Sequence, residues 1–319
     1  MEKNRDKETI FMATTISASD IKRVKGMGFL LNKGTDCFNA RVLTVNGKIS
    51  AEQASVLAEA ARTFGSGELT FTVRMTVEVP GIPYDQIPAF QEFIAQAGLF
   101  TGGTGPLVRP VVSCKGTTCH FGLYDTFALS QKIHERFYLG YHAVKLPHKF
   151  KIACGGCPNN CAKPDINDLG IIGQRIPLPD YDACKGCKKC QIEAVCPVNA
   201  AKVVDGRIVV EEDKCIHCGR CTGKCPFHAF DDSVSGWKVC LGGRWGKKVG
   251  QGQPLGKIIT TEEDLLNIVE KTILFYREQG QPGERFADTI ARLGFDHVEH
   301  EILTDDIFAR KETILKDET

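Results

Sequence analysis

An α+β protein carrying a cysteine-rich insertion is the fold class that the sequence predicts, and three observations carry it. Strand-like and helix-like periodicities alternate through residues 18–100. Near residue 180 the texture breaks into C-x-x-C arrays, and after residue 232 the ordinary apolar periodicity returns. The expected division is therefore a solvated tail at 1–17, a small α+β unit at 18–100, a larger α+β domain made of 101–179 and 233–319, and an insertion at 180–232.

Composition narrows the function class. Lys+Arg number 40 against 39 Asp+Glu in 319 residues, so no global basic field argues for nucleic acid. No stretch reaches the apolar length of a membrane span, and the charged start MEKNRDKETIF lacks the apolar core of a signal peptide. The expected location is the cytoplasm. Fifteen cysteines in that reducing setting are expected as metal ligands rather than disulfides.

In chain order, NARVLTV is expected as a strand and Asn46-Gly47 as a turn. Ser50-Ala-Glu-Gln53 is a capping box opening a helix with Val56, Leu57, Ala60 and Phe64 on one stripe. LTFTVRMTVEV has period two, which predicts one continuous strand with Thr70, Thr72, Arg74, Thr76 and Glu78 on a single face. A helix from about Pro83 to Ala97 stops at Gly98. Leu107–Cys114 is expected as a strand carrying Arg109, and Asp125–Tyr138 as a helix packing Phe127, Ile133 and Phe137. Leu169 opens a short strand, LGIIG. WKVCLGGRWGKKVG gives a strand and a Gly-rich loop with Arg244, Lys247 and Lys248. A capped helix from Thr260 presents Leu265, Val269, Ile273 and Tyr276, and 284–319 is expected to be helical and polar.

Chemistry concentrates in three places. PHKFKIACGGCPNNC begins as a strand whose Lys149 and Lys151 leave one face, then breaks at Gly155-Gly156 and delivers Cys157 and Cys161. Cys114-Lys-Gly-Thr-Thr-Cys119 is a second thiolate turn. Turns of this kind suit an iron–sulfur cluster, and a cationic strand face leading into one suggests a bound anion. The bland alternative for the lysines, as for Arg74, is a solvated sheet face. The third place is the insertion. Cys184, Cys187 and Cys190 are followed by Cys196-Pro197, and Cys215, Cys218 and Cys221 by Cys225-Pro226. This is the tandem bacterial-ferredoxin pattern, in which the fourth cysteine serves the other cluster. It predicts one [4Fe–4S] cluster on Cys184, Cys187, Cys190 and Cys225, and a second on Cys215, Cys218, Cys221 and Cys196. Two structural zinc sites are the alternative. Cys37, Cys154 and Cys240 are left over and expected as small buried hydrophobes.

The sequence resembles the sirohaem-dependent sulfite and nitrite reductases, within them the anaerobic sulfite reductase type, over nearly all of residues 18–280. FNARVLTVNGKISAEQASVLAEAARTFGSGELTFTVRMTVEVPGI is similar to the family's ferredoxin-like half-domain. TGGTGPLVRPVVSCKGTTC and PHKFKIACGGCPNNC are similar to its paired cluster and sirohaem motifs, and WKVCLGGRWGKK to a later sirohaem-domain strand and loop. The resemblance implies a ferredoxin-like half-domain followed by a sirohaem/[4Fe–4S] domain. It implies that Cys114, Cys119, Cys157 and Cys161 bind a [4Fe–4S] cluster, with Cys161 also bridging to sirohaem. Arg74, Arg109, Lys149 and Lys151 match the residues around a bound oxyanion, and Lys115, Thr117, Asn159, Asn160, Arg244 and Lys247 are implied cofactor contacts. Two departures from the family pattern are visible: the spacing of Cys114 and Cys119, and Cys154, which forms a rival C-x-x-C with Cys157.

The implied function is six-electron reduction of sulfite to sulfide, with three [4Fe–4S] clusters and one sirohaem. Electrons would come from separate subunits, a flavoprotein taking them from NADH and an iron–sulfur subunit, since no flavin or nicotinamide fingerprint is present. Nitrite reduction is the alternative within enzymes, and a non-catalytic polyferredoxin-type carrier the alternative outside them.

Overall fold

The computed structural model describes residues 16–316; the expected tail at 1–17 lies almost wholly outside the described residues. The chain forms two compact units. The first takes residues up to Leu43, Ser50–Thr72 and Thr76–Thr104, and the second Thr44–Ile49, Val73–Met75 and everything from Gly105.

The first unit is an antiparallel sheet with helices. In chain order it contains α1 (Ala18–Gly26), β1 (Phe29–Leu31), β2 (Cys37–Val42), α2 (Ala51–Phe64), β3 (Thr70–Phe71), β4 (Val77–Pro83) and α3 (Ile87–Ala95). The strand order is β1-β2-β4-β3. The capping box is present at Ser50 and Gln53, so α2 begins where two otherwise orphaned amide donors are satisfied. Phe29, Phe38, Leu57, Phe90 and Ile94 are fully buried, and Phe29 and Phe64 both meet Phe90 edge-on with ring centroids 6.0 Å apart. Helix α3 starts at Ile87 rather than Pro83, because Tyr84–Gln86 first makes a 3₁₀ turn.

One expected strand is not there. LTFTVRMTVEV folds back on itself as the β3–β4 hairpin, with Thr70 opposite Glu78 and Phe71 opposite Val77. The Thr72 amide donates to the Thr76 carbonyl at 2.9 Å, and the two hydroxyls lie 2.6 Å apart. Met75 turns the corner with φ 56°, a conformation rare for a residue with a side chain. Period two continues through the tip without a Gly, Asn or Pro to mark it, which is why the pattern looks continuous.

The second unit is a five-stranded mixed sheet covered by helices. Its elements are β5 (Val112–Ser113), α4 (Thr126–Ile133), β6 (Ile152–Gly155), β7 (Leu169–Pro177), α5 (Gln191–Val195), β8 (Ala201–Val204), β9 (Arg207–Val210), β10 (Ser233–Leu241), β11 (Gln253–Pro254), α6 (Glu262–Gln279), α7 (Phe286–Leu293), α8 (Phe295–Leu303), α9 (Asp306–Ala309) and α10 (Lys311–Lys316). The order is β11-β10-β7-β6-β5, with β5, β6 and β7 parallel and β10 antiparallel to β7. Of the strand expected at Leu107–Cys114 only β5 forms, preceded by an isolated bridge from Val108 to Phe150. Helix α4 ends at Ile133 and widens into a π-helical stretch, His134–Leu139.

Helix α6 is capped by Thr261 and buries Leu265, Val269, Ile273 and Tyr276 completely. The tail of helices after it is less polar than expected. Phe286, Val298, Ile302 and Ile307 are fully buried and join the same core as α6, so most of the polar residues of 284–316 lie on the outer face.

Strands β7 and β10 pair over nine residues, from Leu169 with Leu241 to Pro177 with Ser233. The chain between them leaves and returns at one point, where the Leu178 amide donates to the Asp232 carbonyl at 2.9 Å. That segment holds α5 and the β8–β9 hairpin and has a small core of its own, Ile192, Ala201, Ile208, Ala229 and Phe230.

Candidate functional site

Two thiol-bearing turns meet back to back. Strand β5 leads into the Cys114–Cys119 turn, a 3₁₀ turn at Gly116–Thr118, and β6 leads through Gly155-Gly156 into the Cys157–Cys161 turn. A Cβ on Gly116 would lie 2.6 Å from Thr126 Cγ2 and 3.0 Å from Gly156 Cα, so only glycine lets the turns approach this closely. The Gly156 amide donates to Cys114 Sγ at 3.1 Å, and Thr126 Oγ1 donates to the Cys114 carbonyl at 2.7 Å. Asn160 takes φ 57° and its Nδ2 donates to Asp165 Oδ1 at 2.8 Å, which holds the second turn.

Cys114, Cys119, Cys157 and Cys161 line one cavity of about 480 Å³, together with Met75, Lys115, Asn159 and several glycines. Burial pushes the Cys157 thiol up, so a thiolate there needs a cation to neutralise it. Among the described residues no three His, Cys, Asp or Glu side chains converge on a point that one ion would fill. The thiols stand around a volume instead, and an amide donor to sulfur together with a glycine cradle fits an iron–sulfur cluster.

The rival Cys154 does not line this cavity. It is fully buried on β6, its carbonyl accepts from the Cys114 amide, and burial pushes its thiol up. Cys240 is also buried, with its thiol pushed up to about 11 by burial, whereas Cys37 is only half-buried.

The cationic residues come together at the start of β6. Lys149 and Lys151 flank Phe150, which is fully buried. Burial lowers the pKa of Lys149, as do the charges of Arg285, Arg109 and Arg74, while Asp168 acts in the opposite sense. Lys151 is pushed down to about 8 by burial first, then by Arg74 and Arg285, again against Asp168. Arg74 reaches this place from the hairpin tip, where its Nη2 donates to Asn167 Oδ1 at 2.6 Å and its Nη1 to the Pro110 carbonyl at 3.0 Å. Its neighbour Met75 lines the thiol cavity; the Thr44 hydroxyl donates to the Met75 carbonyl.

Sequence reasoning missed the fifth cation and its counter-charge. Arg285, at the N-cap of α7, donates through Nη2 to both oxygens of Asp168, at 2.9 and 3.0 Å. Asp168 is fully buried and also accepts from the Lys151 amide at 2.9 Å. Burial pushes its carboxyl up, and Arg285 pulls it back. The pair spans more than a hundred positions of sequence, so no local pattern announces it. His148 is held below the usual imidazole range by burial and by Lys149, Arg285 and Arg109.

The remaining expected cofactor contacts divide. Lys115 and Asn159 line the cavity. Thr117 is committed to the start of α4, where its hydroxyl donates to Asp125 Oδ1 at 2.6 Å and accepts from the Phe127 amide. Arg244 pairs with Asp288 at 2.8 Å and lines a different cavity, of about 490 Å³, and Lys247 is exposed on the following loop.

In the insertion, Cys196 of the first array joins Cys215, Cys218 and Cys221 of the second around a small cavity of about 30 Å³, otherwise walled by apolar groups such as Pro177, Val198 and Ile216. The Ala200 amide donates to Cys196 Sγ at 3.2 Å. Burial, then the neighbouring thiols, pushes Cys221 up to about 11. Cys184, Cys190 and Cys225 pack against the insertion's own core, and Cys187 is half-buried nearby in sequence.

Strand β6 begins only at Ile152, so Lys149 and Lys151 stand on the segment entering it rather than on the strand itself, and neither lines the thiol cavity. A cavity walled by four thiols fits an iron–sulfur protein. The comparisons agree and are more specific. Residues 104–307 match the nitrite and sulphite reductase 4Fe-4S domain, and residues 31–97 match the nitrite/sulfite reductase ferredoxin-like half domain. The chain belongs to the nitrite and sulfite reductase family.

An uncharacterized protein of Methanocaldococcus jannaschii is 30% identical over 86% of this chain and 94% of its own length. One of the subunits of the anaerobic sulfite reductase of Salmonella typhimurium is 31% identical over 74% of each chain. The coenzyme F420-dependent sulfite reductase of M. jannaschii is 30% identical over 72% of this chain, which spans only 36% of that protein. A crystal structure of dissimilatory sulfite reductase I shares the fold with a TM-score of 0.66 at 20% identity, over 84% of this chain and 69% of the other. No helix among the described residues is long and apolar enough to cross a membrane.

Proposed function

We propose that this chain is the catalytic subunit of an anaerobic, NADH-linked sulfite reductase that reduces sulfite to sulfide with six electrons. The observation that carries this reading is the single cavity lined by Cys114, Cys119, Cys157 and Cys161, in the turns that follow β5 and β6, with Lys149 and Lys151 on the segment that enters β6. Those thiols would hold a [4Fe–4S] cluster, and Cys161 would also help hold sirohaem. Cys184, Cys187, Cys190 and Cys225 would hold a second cluster, and Cys215, Cys218, Cys221 and Cys196 a third. When bound, sirohaem and its cluster supply electrons singly and an iron for the substrate sulfur.

The chain's own residues do the rest. Lys149, Lys151, Arg109 and Arg74 offer positive donors to the oxyanion in a partly dehydrated place, where such charges are worth more than in water. As each oxygen leaves as water it needs protons. Lys151, pushed down to about 8, is matched to give one near neutral pH. Asp168 fixes the backbone of Lys151 through the amide of that residue. Electrons would enter through the insertion from partner subunits, a flavoprotein and an iron–sulfur protein, in the cytoplasm.

Metal analysis tests the layout directly. Protein purified without oxygen should carry roughly twelve cluster irons and one sirohaem per chain. A total near four irons would rule out the three-cluster arrangement, and an iron–sulfur spectrum lacking sirohaem would favour an electron carrier.

The pH dependence is a second test. Sulfite binding should weaken as pH rises through about 8, because Lys151 then loses its charge. Lys151→Arg should remove that inflection. Binding that stays flat across this range in the loaded wild-type protein would remove Lys151 from the anion site. The linked effect on folding has the opposite sense. The unfolded chain holds this proton up to the ordinary lysine range, so the anion-free fold gains stability as pH rises from about 8 toward that range.

A further inference from the structure

We infer that Arg285 sets the specificity of the anion site, favouring a doubly charged, three-oxygen anion over a singly charged, two-oxygen one. The inference rests on the sulfite reductase reading and adds a residue to it.

Three observations carry it. The first is placement. Arg285 sits at the start of α7, 16% exposed, and is locked to the fully buried Asp168, the same carboxylate that accepts from the Lys151 amide. Its guanidinium is therefore fixed relative to the cationic end of β6. The second is an unspent donor. Nη2 alone serves both Asp168 oxygens, and Nε is buried with no hydrogen-bond partner among the described residues. A buried N–H without an acceptor is rare in a folded protein and marks a place where a ligand completes the bonding. An arginine already oriented by a carboxylate is well suited to receive an oxygen pair on its remaining edge.

The third observation is charge balance. Asp168 is the one carboxylate that acts on Lys149 and Lys151, against the positive charges of Arg74, Arg109 and Arg285, and His148 beside them is held toward its neutral form. Positive charge is in excess until an anion arrives. Each cation attracts a dianion twice as strongly as a monoanion at the same distance. Arg74 spends its Nη groups on Asn167 and Pro110. Arg285 keeps the Nε donor described above, so its loss should fall selectively on the anion with the larger charge and the third oxygen.

The experiment measures equilibrium binding of sulfite and of nitrite to the oxidised, cofactor-loaded protein through the sirohaem absorption, at a pH where sulfite is doubly charged. In Arg285→Gln the dissociation constant for sulfite should rise at least about tenfold more than that for nitrite. Removing the guanidinium leaves Asp168 buried without its partner, so that variant can fail to fold. Arg285→Lys keeps the charge opposite Asp168 and loses the fork, and it should shift the same ratio in the same direction by a smaller factor. Equal changes for the two anions, or no change in either loaded variant, would overturn the inference, since a merely structural role moves both anions together. Wild-type protein that loads sirohaem and binds neither anion would instead overturn the sulfite reductase reading itself.

Discussion

Lys149→Met is expected to lower sulfite turnover by roughly 10²–10³, the range for removing one preorganised transition-state donor, while the cofactor spectrum stays intact. The substitution keeps the stem and deletes only the ammonium. Lys149 stands on the stretch that enters β6, next to the buried Phe150, so its backbone is fixed by the sheet core rather than by its own charge. Burial and three arginines all disfavour its charged form. That is the situation in which a bound oxyanion returns the most, because the anion relieves repulsion already present. The folded protein should therefore be no less stable without the ammonium, and the loss should appear in turnover. Steady-state kinetics with a chemical reductant, set beside the sirohaem content of the variant, checks this. If Lys149→Met and Lys151→Met both kept wild-type turnover with sirohaem fully loaded, these lysines would be a solvated strand face.

Cys218→Ser is the second large effect. Turnover driven by the physiological donor should fall by roughly 10² or more, since losing a metal ligand costs at least what losing an outer partner of one does. A small reductant that reaches the sirohaem directly should still support part of the activity. The structure gives the reason to expect a split between the two donors. The Cys218 backbone bridges to Arg175 of β7, and the Arg175 amide donates to the His217 carbonyl at 2.7 Å. Two residues back along β7, a Cβ on Gly173 would lie 2.6 Å from the Gly156 carbonyl, beside Cys157. Strand β7 thus touches both thiol-bearing segments, and a path between the centres they would hold can run along it. Equal loss with both donors would mean that the substitution unfolds the insertion instead.

Much of this was legible in the sequence because the signals are local. The Ser50 capping box, the stripe of α6 and the C-x-x-C arrays each announce themselves within a few residues, and Cys196 lines one small cavity with Cys215, Cys218 and Cys221. What escaped was set by contacts distant in sequence. The hairpin at Thr72–Thr76 keeps strand-like alternation through its tip, and the room for left-handed Met75 comes from elsewhere: a Cβ on Gly47 would lie 3.2 Å from Met75 Cβ. Asp168 and Arg285 find each other only once α7 lies against the sheet, and the polar look of residues 284–319 concealed a helix row that belongs to the main core. Thr117 reads as a cofactor contact from its motif, yet its hydroxyl is engaged by the cap of α4.

The closed neck between β7 and β10 bears on the order in which the protein matures. These two strands make the longest pairing in the sheet, yet the whole stretch from Leu178 to Asp232 separates them. Joining them from an unstructured chain means closing a long loop against its entropy, and such non-local pairings form slowly. Once the insertion has condensed around its own small core, its two ends are already side by side, and the long loop behaves as a tight turn. With the two clusters proposed above, iron supplied to the insertion would help it condense, since a metal that binds only the folded form drives folding. Iron delivery to the insertion is therefore expected to come before completion of the central sheet, and a newly made chain starved of iron should stall with β10 unpaired.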